Sequence, residues 1–310
     1  MRSIGITLGE PCGIGPELVA RTVTTFATTD LRPVVYGSPR LLNRVARDLG
    51  IDLSRILFRP AGPDLERFDP EDRSSRAESV ISSLDAVSRD AQSGELAAVV
   101  TAPIDKSVVR TIVPSFVGHT EYLRDRASVP RTIMLLDNTE LRVALLTTHV
   151  PLRQVPDLMS ARLIEETVWI TVGALCEHLQ IARPRLAIAA LNPHAGETSS
   201  DPEEERVFRP AIEHLRTQGF EIEGPFPADT LFAKARGNRW DVVISPYHDQ
   251  GLVAAKYPGL DKVVNITLGL PYLRVSPGHG VAYDLVGMGN ADTRSFERAL
   301  RIAAEGRWVA

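Results

Sequence analysis

Short, nearly all-apolar runs alternate along the chain with longer stretches whose apolar residues recur at helical spacing. The runs predict strands at Ser3–Leu8, Pro33–Tyr36, Leu96–Thr101, Thr132–Leu136, Leu141–Thr147, Leu186–Leu191, Asp241–Ser245 and Val263–Leu268. Several hold almost no polar side chain, as expected of strands covered on both faces. The longer stretches predict helices at Glu17–Thr25, Pro39–Leu49, Ala77–Gln92, Ala161–Leu179, Glu203–Gln218 and Asp292–Ala304. Such alternation predicts an α/β protein with a largely parallel sheet. The polar, weakly patterned stretch from Asp64 to Arg76 reads as a surface loop rather than a domain linker. No internal repeat or low-complexity tract breaks the pattern.

Unusual residues collect just past the predicted strands. In order they are Gly9-Glu10-Pro11-Cys12-Gly13-Ile14-Gly15-Pro16-Glu17, Thr101-Ala102-Pro103-Ile104-Asp105-Lys106, Thr147-Thr148-His149, Asn192-Pro193-His194-Ala195-Gly196-Glu197 and Pro246-Tyr247-His248-Asp249-Gln250-Gly251. Open parallel sheets bind ligands outside the carboxyl ends of their strands. The placement therefore predicts a site there.

Composition narrows the partners. The chain has 310 residues, 44% apolar and 24% charged, which suits a soluble globular protein of two domains or one large one. The net charge of −4 offers no basic surplus for a phosphate backbone, so nucleic acid is not expected. No apolar run nears the about 18 residues that span a bilayer. The apolar start at Ile4–Leu8 is too short for a signal peptide, so a cytoplasmic protein without a membrane partner is expected. Two cysteines, Cys12 and Cys176, make no disulfide framework.

His149, His194 and His248 each follow a predicted strand. Imidazole suits zinc and related divalent metals, and three protein ligands are common in catalytic sites. Their spacing does not demand a metal, and plain hydrogen-bonding roles stay open. His178 and His214 fall within helix patterns and read as structural or exposed. Gly13-Ile14-Gly15 lacks the dinucleotide fingerprint, since Leu18 takes the third glycine position and Pro16 follows at once; a structural turn is favoured over phosphate binding. Glu10 can still face the crevice. Gly118-His119-Thr120-Glu121 opens a helix pattern, either as an anion site or as a plain cap with Thr120 as the capping residue. Lys256 and Arg274 suit a phosphate. Arg274 sits among Tyr272, Leu273 and Val275, an odd place for idle charge. Dense glycine over 278–289 allows a ligand to approach the backbone closely, or makes only a well-turned loop.

Gly-His-Thr-Glu at 118–121, Thr-Thr-His at 147–149, Leu-Asn-Pro-His-Ala-Gly-Glu at 191–197, Pro-Ala-Asp-Thr-Leu-Phe at 227–232, Tyr-His-Asp-Gln-Gly at 247–251 and Asn-Ile-Thr-Leu-Gly-Leu-Pro at 265–271 stand in one order. With these blocks the chain resembles the 4-hydroxythreonine-4-phosphate dehydrogenase family of vitamin B6 biosynthesis, from first strand to last helix. The resemblance implies a two-domain, isopropylmalate-dehydrogenase-like α/β fold with a cleft between the domains. Residues 1–130 and 265–310 would form a discontinuous cofactor-side domain, and 131–264 a metal, substrate and dimerisation domain, with boundaries good to about 15 residues. It implies a homodimer whose active site is shared across the interface. His149, His194 and His248 would hold a divalent metal, with zinc preferred and magnesium, cobalt or manganese also eligible. His119 and Thr120 would contact the phosphate of a small phosphorylated substrate, with Lys256, Asn265 and Arg274 closing around the rest. His279, Gly280, Ala282 and Asp284 would lie on an adenosine-binding loop for NAD.

The implied reaction oxidises a secondary alcohol beside a carbon bearing an amine and a carboxylate, and the resulting β-keto acid loses CO2. Asp229 or Asp249 would orient a ligand histidine or relay the proton, and the sequence does not rank them. Some stretches depart from the family pattern: Thr198-Ser199-Ser200-Asp201-Pro202 replaces a glycine-rich run, and Val117 stands where proline or threonine is usual. The changes beside His194 bear on the pocket for the substrate's amine and carboxylate. D-threonate or D-erythronate 4-phosphate therefore stands as an alternative substrate to 4-phosphooxy-L-threonine. A catalytically silent metabolite-binding relative is the third reading, disfavoured by the full histidine set.

Overall fold

The computed structural model describes residues 2–28, 30–235, 237 and 239–306. Two compact units emerge, one from Met1–Thr132 with Leu270–Val309, the other from Ile133–Gly269. Along the first segment run β1 (Arg2–Thr7), α1 (Gly15–Thr22), β2 (Leu31–Gly37), α2 (Pro39–Leu49), β3 (Leu57–Pro60), α3 (Arg73–Gln92), β4 (Ala98–Thr101), α4 (Lys106–Val109) and α5 (His119–Ala127). The second unit holds β5 (Ile133–Asp137), β6 (Arg142–Leu145), α6 (Val155–Leu158), α7 (Ala161–Leu179), β7 (Arg185–Ala189), α8 (Arg209–Thr217), β8 (Glu221–Phe226), α9 (Ala228–Ala235), β9 (Val242–Ser245), α10 (His248–Lys256) and β10 (Val264–Leu268). The chain returns to the first unit with β11 (Leu273–Pro277) and α11 (Arg294–Glu305).

In the first unit the strands lie in the order β3-β2-β1-β4-β11, all parallel. Parallel pairing with helical crossovers buries both sheet faces, and β4 is buried at every position. Val34, Tyr36, Val87, Leu96, Val99, Leu123 and Tyr272 pack into one cluster on this sheet. The second unit runs β10-β5-β6-β9-β7-β8. There β6, β9, β7 and β8 are parallel, but β5 pairs antiparallel with both β10 and β6. The tight turn after β5 explains the pairing with β6. Asn138 Oδ1 accepts from the Glu140 and Leu141 amides, which folds β6 straight back.

The predicted α2 and α7 coincide with the structure. Other expectations need correction. The 64–76 stretch is not all loop: Asp72 caps α3 by accepting from the Ser75 amide, so the helix starts at Arg73 and takes Arg76 into the interior. The helix expected over 203–218 is present to Thr217, but its first part, Glu204–Phe208, is π-helical and α8 continues from it. The helix expected through Thr25 ends as α-helix at Thr22 and tightens into a 3₁₀ turn. Strand β3 is a short edge strand with mostly exposed positions, β8 carries two glutamates with a glycine and a proline, and β11 holds a buried arginine. Among the described residues no helix is long and apolar enough to cross a membrane.

Candidate active site

In the second unit, four adjacent parallel strands end beside one another, and each leads into a chemistry-bearing residue. β6 leads to His149, β9 to His248, β7 to His194 and β8 to Asp229. Hydrogen bonds hold these ends in register. The Thr147 amide and hydroxyl both donate to the Pro246 carbonyl, at 3.2 and 2.7 Å. Gln250 Nε2 donates to the Ala190 carbonyl at 2.9 Å, while its Oε1 accepts from Ser245 Oγ at 2.7 Å. Gln250, which the sequence reading passed over, thus ties the start of α10 to the end of β7. Helix α10 can lie this close because residue 251 is glycine: a Cβ there would stand 2.7 Å from Val143 Cγ1.

This framework brings the rings of His149 and His248 to 5.7 Å between centroids, tilted by 44°. His248 Nδ1 lies 2.7 Å from Asp249 Oδ1. With Asp249 ionised, that bond fixes the Nδ1–H tautomer and leaves Nε2 as the basic nitrogen, the arrangement that suits an imidazole ligand. His194 lies on a strained turn: it and Ala195 both take left-handed backbone, at φ 53° and 54°. Two such residues in succession are costly without glycine. Buried Glu204 supports the turn, accepting from the Asn192 amide at 2.7 Å and from its side-chain nitrogen at 2.9 Å. Gly196, at φ +83°, lets Pro202 pack against the same turn, where a Cβ would meet the ring at 2.5 Å. Among the described residues no group of three or more His, Cys, Asp or Glu side chains stands close enough to hold a metal. His149 and His248 are brought together; His194 stays outside such a group.

The two aspartates differ. Asp249 touches His248, and its side chain is 86% exposed. Asp229 accepts from the neighbouring Thr230 amide and lines a cleft of about 440 Å³ with Asn138, Phe232, Gln250, Val253 and Tyr257. Lys256 ends α10 and Asn265 lies in β10.

In the first unit, the adjacent strands β1, β4 and β11 also end side by side. Helix α5 starts at His119, with Gly118 as N-cap and no side-chain cap, so Thr120 lies inside the first turn and is not the cap. The open amides of a helix start favour an anion. Arg274, only 1% exposed, donates from Nη2 to Thr101 Oγ1 at 2.6 Å. Burial lowers its pKa to about 10, which still leaves it protonated at neutral pH. His119 Nε2 is buried without a hydrogen-bond partner. Burial first, then the charges of Arg274 and Lys106, hold this imidazole well below its ordinary pKa. Lys106, which the sequence reading left unassigned, flanks the helix start: a Cβ on Gly118 would lie 3.6 Å from its Nζ and 3.2 Å from Glu121 Oε2. Basic side chains thus converge on one helix N-terminus.

The loop after β11 carries the residues expected to meet NAD. His279 and Gly280 lead to Ala282 in left-handed backbone, φ 42° and ψ 61°, followed by a short turn over Tyr283–Leu285 that includes Asp284. Glu10 does not face an open crevice. It is fully buried and paired with Arg76 at 2.8 Å.

The fold, with the relatives given below, defines an α/β oxidoreductase. The fold is shared with isocitrate dehydrogenase from Methylococcus capsulatus, with a TM-score of 0.53 at 13% identity over 98% of this chain and 85% of that one. The profile of the family described as pyridoxal phosphate biosynthetic protein PdxA matches residues 30–303, and the chain belongs to that family. It is 39% identical to a 4-hydroxythreonine-4-phosphate dehydrogenase from Aromatoleum aromaticum, over 97% of this chain and 95% of the relative. The crystal structure of a protein so named from Burkholderia phymatum superposes with a TM-score of 0.82 at 31% identity, covering 100% of this chain and 99% of that one.

Proposed function

We propose that this enzyme oxidises 4-phosphooxy-L-threonine with NAD and a divalent metal, and that the product loses CO2 to give 3-amino-2-oxopropyl phosphate, within pyridoxal phosphate biosynthesis. The observation that carries the reading is the meeting of Lys106, His119 and buried Arg274 at the start of α5. A phosphate ester fits that environment. It receives helix amides and charge-assisted bonds from a guanidinium that is already desolvated. His119, neutral at pH 7, is a single-proton donor or acceptor there rather than a third cation. Thr120 adds a hydroxyl within the first turn.

The second unit offers part of a metal donor set within one chain. His149 and His248 are neighbouring imidazoles, and Asp249 fixes the tautomer of His248. His194 is the third assigned ligand, on a turn held by Glu204. A divalent cation, zinc by preference, would supply Lewis acidity to a substrate hydroxyl when bound, and NAD would supply the hydride acceptor. Asp249 is then a positioning residue for His248. Asp229, on the cleft at the end of β8, is the candidate to accept and return the hydroxyl proton. Gly280, Ala282 and Asp284, with His279 at the entry to the loop, are the residues that would hold the adenosine half of NAD.

We assign a homodimer in which the ligands of one metal come from both copies, so that activity and dimer are lost together on dilution. The experiment is NADH formation by chelator-stripped protein with added zinc, magnesium or manganese. The substrates are 4-phosphooxy-L-threonine and the 4-phosphates of D-threonate and D-erythronate. Metal-dependent turnover confined to the amino acid phosphate is the expected result. Turnover confined to a sugar acid phosphate would move the enzyme to another pathway.

A further inference from the structure

The loop from Gly278 to Ala291 is tied to its own unit at several points. The Ile14 amide donates to the Val281 carbonyl at 3.0 Å. At the far end Glu17 accepts from the Ala291 amide at 2.9 Å, and Arg21 donates to the Ala291 carbonyl at 2.6 Å. Between these lies Tyr283. Its hydroxyl donates to Asp105 Oδ2 at 2.8 Å and accepts from Arg76 Nη2 at 2.7 Å. The two partners are themselves fixed. Asp105 uses its other oxygen to cap α4, accepting from the Ser107 amide at 2.8 Å. Arg76 donates from Nε to buried Glu10 and from Nη1 to the Pro70 carbonyl, and its guanidinium stands 5.7 Å from the Tyr283 ring.

A tyrosine hydroxyl seldom meets an ionised donor and an ionised acceptor by chance on a glycine-rich surface loop. Here it does so one residue after Ala282, whose left-handed backbone the loop has to sustain without glycine. Burial and the bond to Asp105 push the phenol pKa upward, so the hydroxyl keeps its proton across the working pH range. Glu10 follows β1, Asp105 follows β4 and Tyr283 follows β11, so the clamp joins the ends of three adjacent strands. Lys106, next to Asp105, is the residue that flanks the start of α5.

We infer that Tyr283 is a positioning residue for the dinucleotide: held between Arg76 and Asp105, it keeps the turn at 281–286 in the form that the nucleotide binds. The inference rests on the assignment of this loop to NAD. A preformed loop spares the ligand the entropy of ordering it, so losing the hydroxyl weakens cofactor binding and leaves the chemical step alone.

The test is Tyr283→Phe, which keeps the ring and removes only the hydroxyl, with Asp284→Ala as companion. NADH affinity is read by fluorescence in the absence of the second substrate. Amide hydrogen exchange over 281–286 is read in the absence of cofactor. For Tyr283→Phe the expected results are NADH affinity weaker by about 3- to 10-fold and a matching rise in KM for NAD. Exchange over 281–286 is faster, while kcat at saturating NAD and KM for the phosphorylated substrate stay within about twofold. Unchanged exchange in the variant overturns the clamp. Unchanged NADH affinity for Tyr283→Phe beside a weakened Asp284→Ala also overturns it and leaves the cofactor loop standing. Unchanged affinity in both variants overturns the cofactor assignment and the clamp with it.

Discussion

The rings of His149 and His248 lie 5.7 Å apart, although they come from different strands and are far apart in the chain. The strand order makes them neighbours: β6 pairs with β9, and each histidine follows the end of its strand. The pair sets the first prediction. Neither ring is deeply buried, so His149→Ala or His248→Ala should change stability by no more than about 0.5 kcal/mol. Either should abolish bound metal and turnover together. Metal analysis after dialysis, with circular dichroism for the fold, checks this. A variant with full activity in metal-free buffer would contradict it.

Asp249→Asn and Asp229→Asn separate positioning from proton transfer. Asp249 holds Nδ1 of His248, so Asp249→Asn should weaken metal affinity by roughly 10- to 100-fold, and excess metal should restore turnover. Asp229→Asn should lower kcat at saturating metal and leave metal affinity unchanged. Near-normal turnover in both variants would remove both from the mechanism.

Arg274 carries the phosphate assignment. It is buried and bonded to Thr101, and it belongs to the basic cluster at α5. Arg274→Lys keeps the charge and loses the planar fork, so KM for the phosphorylated substrate should rise by about 10- to 100-fold. Inorganic phosphate should raise the melting temperature of the parent protein and do so much less for the variant. Equal stabilisation of both would place the phosphate elsewhere.

His119 gives a pH signature. In the unfolded chain its imidazole takes a proton near 6.5, whereas in the folded protein its pKa lies well below that value. Between those values the unfolded state binds more protons, so stability rises with pH there and falls as pH drops below about 6.5. Across about pH 7.5 to 5.5, the melting midpoint of the parent should fall more than that of His119→Gln. Parallel curves would show that His119 is not held neutral.

Glu204 supports the strained turn of His194. Glu204→Ala removes the acceptor of the part-buried Asn192 amide and one of the two acceptors of its side-chain nitrogen, Glu203 being the other, and should cost about 1 kcal/mol of stability by urea unfolding. It should also weaken metal binding, because His194 loses its fixed backbone. Unchanged stability would mean that the turn holds itself.

Much of this architecture is legible from apolar runs, since strands buried on both faces are written as such; β9 reads Val-Val-Ile-Ser and was expected almost residue for residue. The same rule misses β11, because Arg274 interrupts the apolar run. It also misses β3, whose positions are mostly exposed. The histidines could be picked out because each follows a strand end. Gln250, Glu204 and Lys106 could not, since their roles depend on which strands are neighbours. Tyr283 stood in plain view in the glycine-rich loop. Nothing in the sequence pairs it with Arg76 or Asp105, which sit on other strand connections.

The measurement that bears most directly on the central claim is NADH absorbance with 4-phosphooxy-L-threonine and the two sugar acid phosphates, before and after chelator treatment. The account predicts turnover with the amino acid phosphate alone, abolished by chelation and restored by a divalent metal. Turnover that survives complete metal removal, or that occurs only with a sugar acid phosphate, would contradict it.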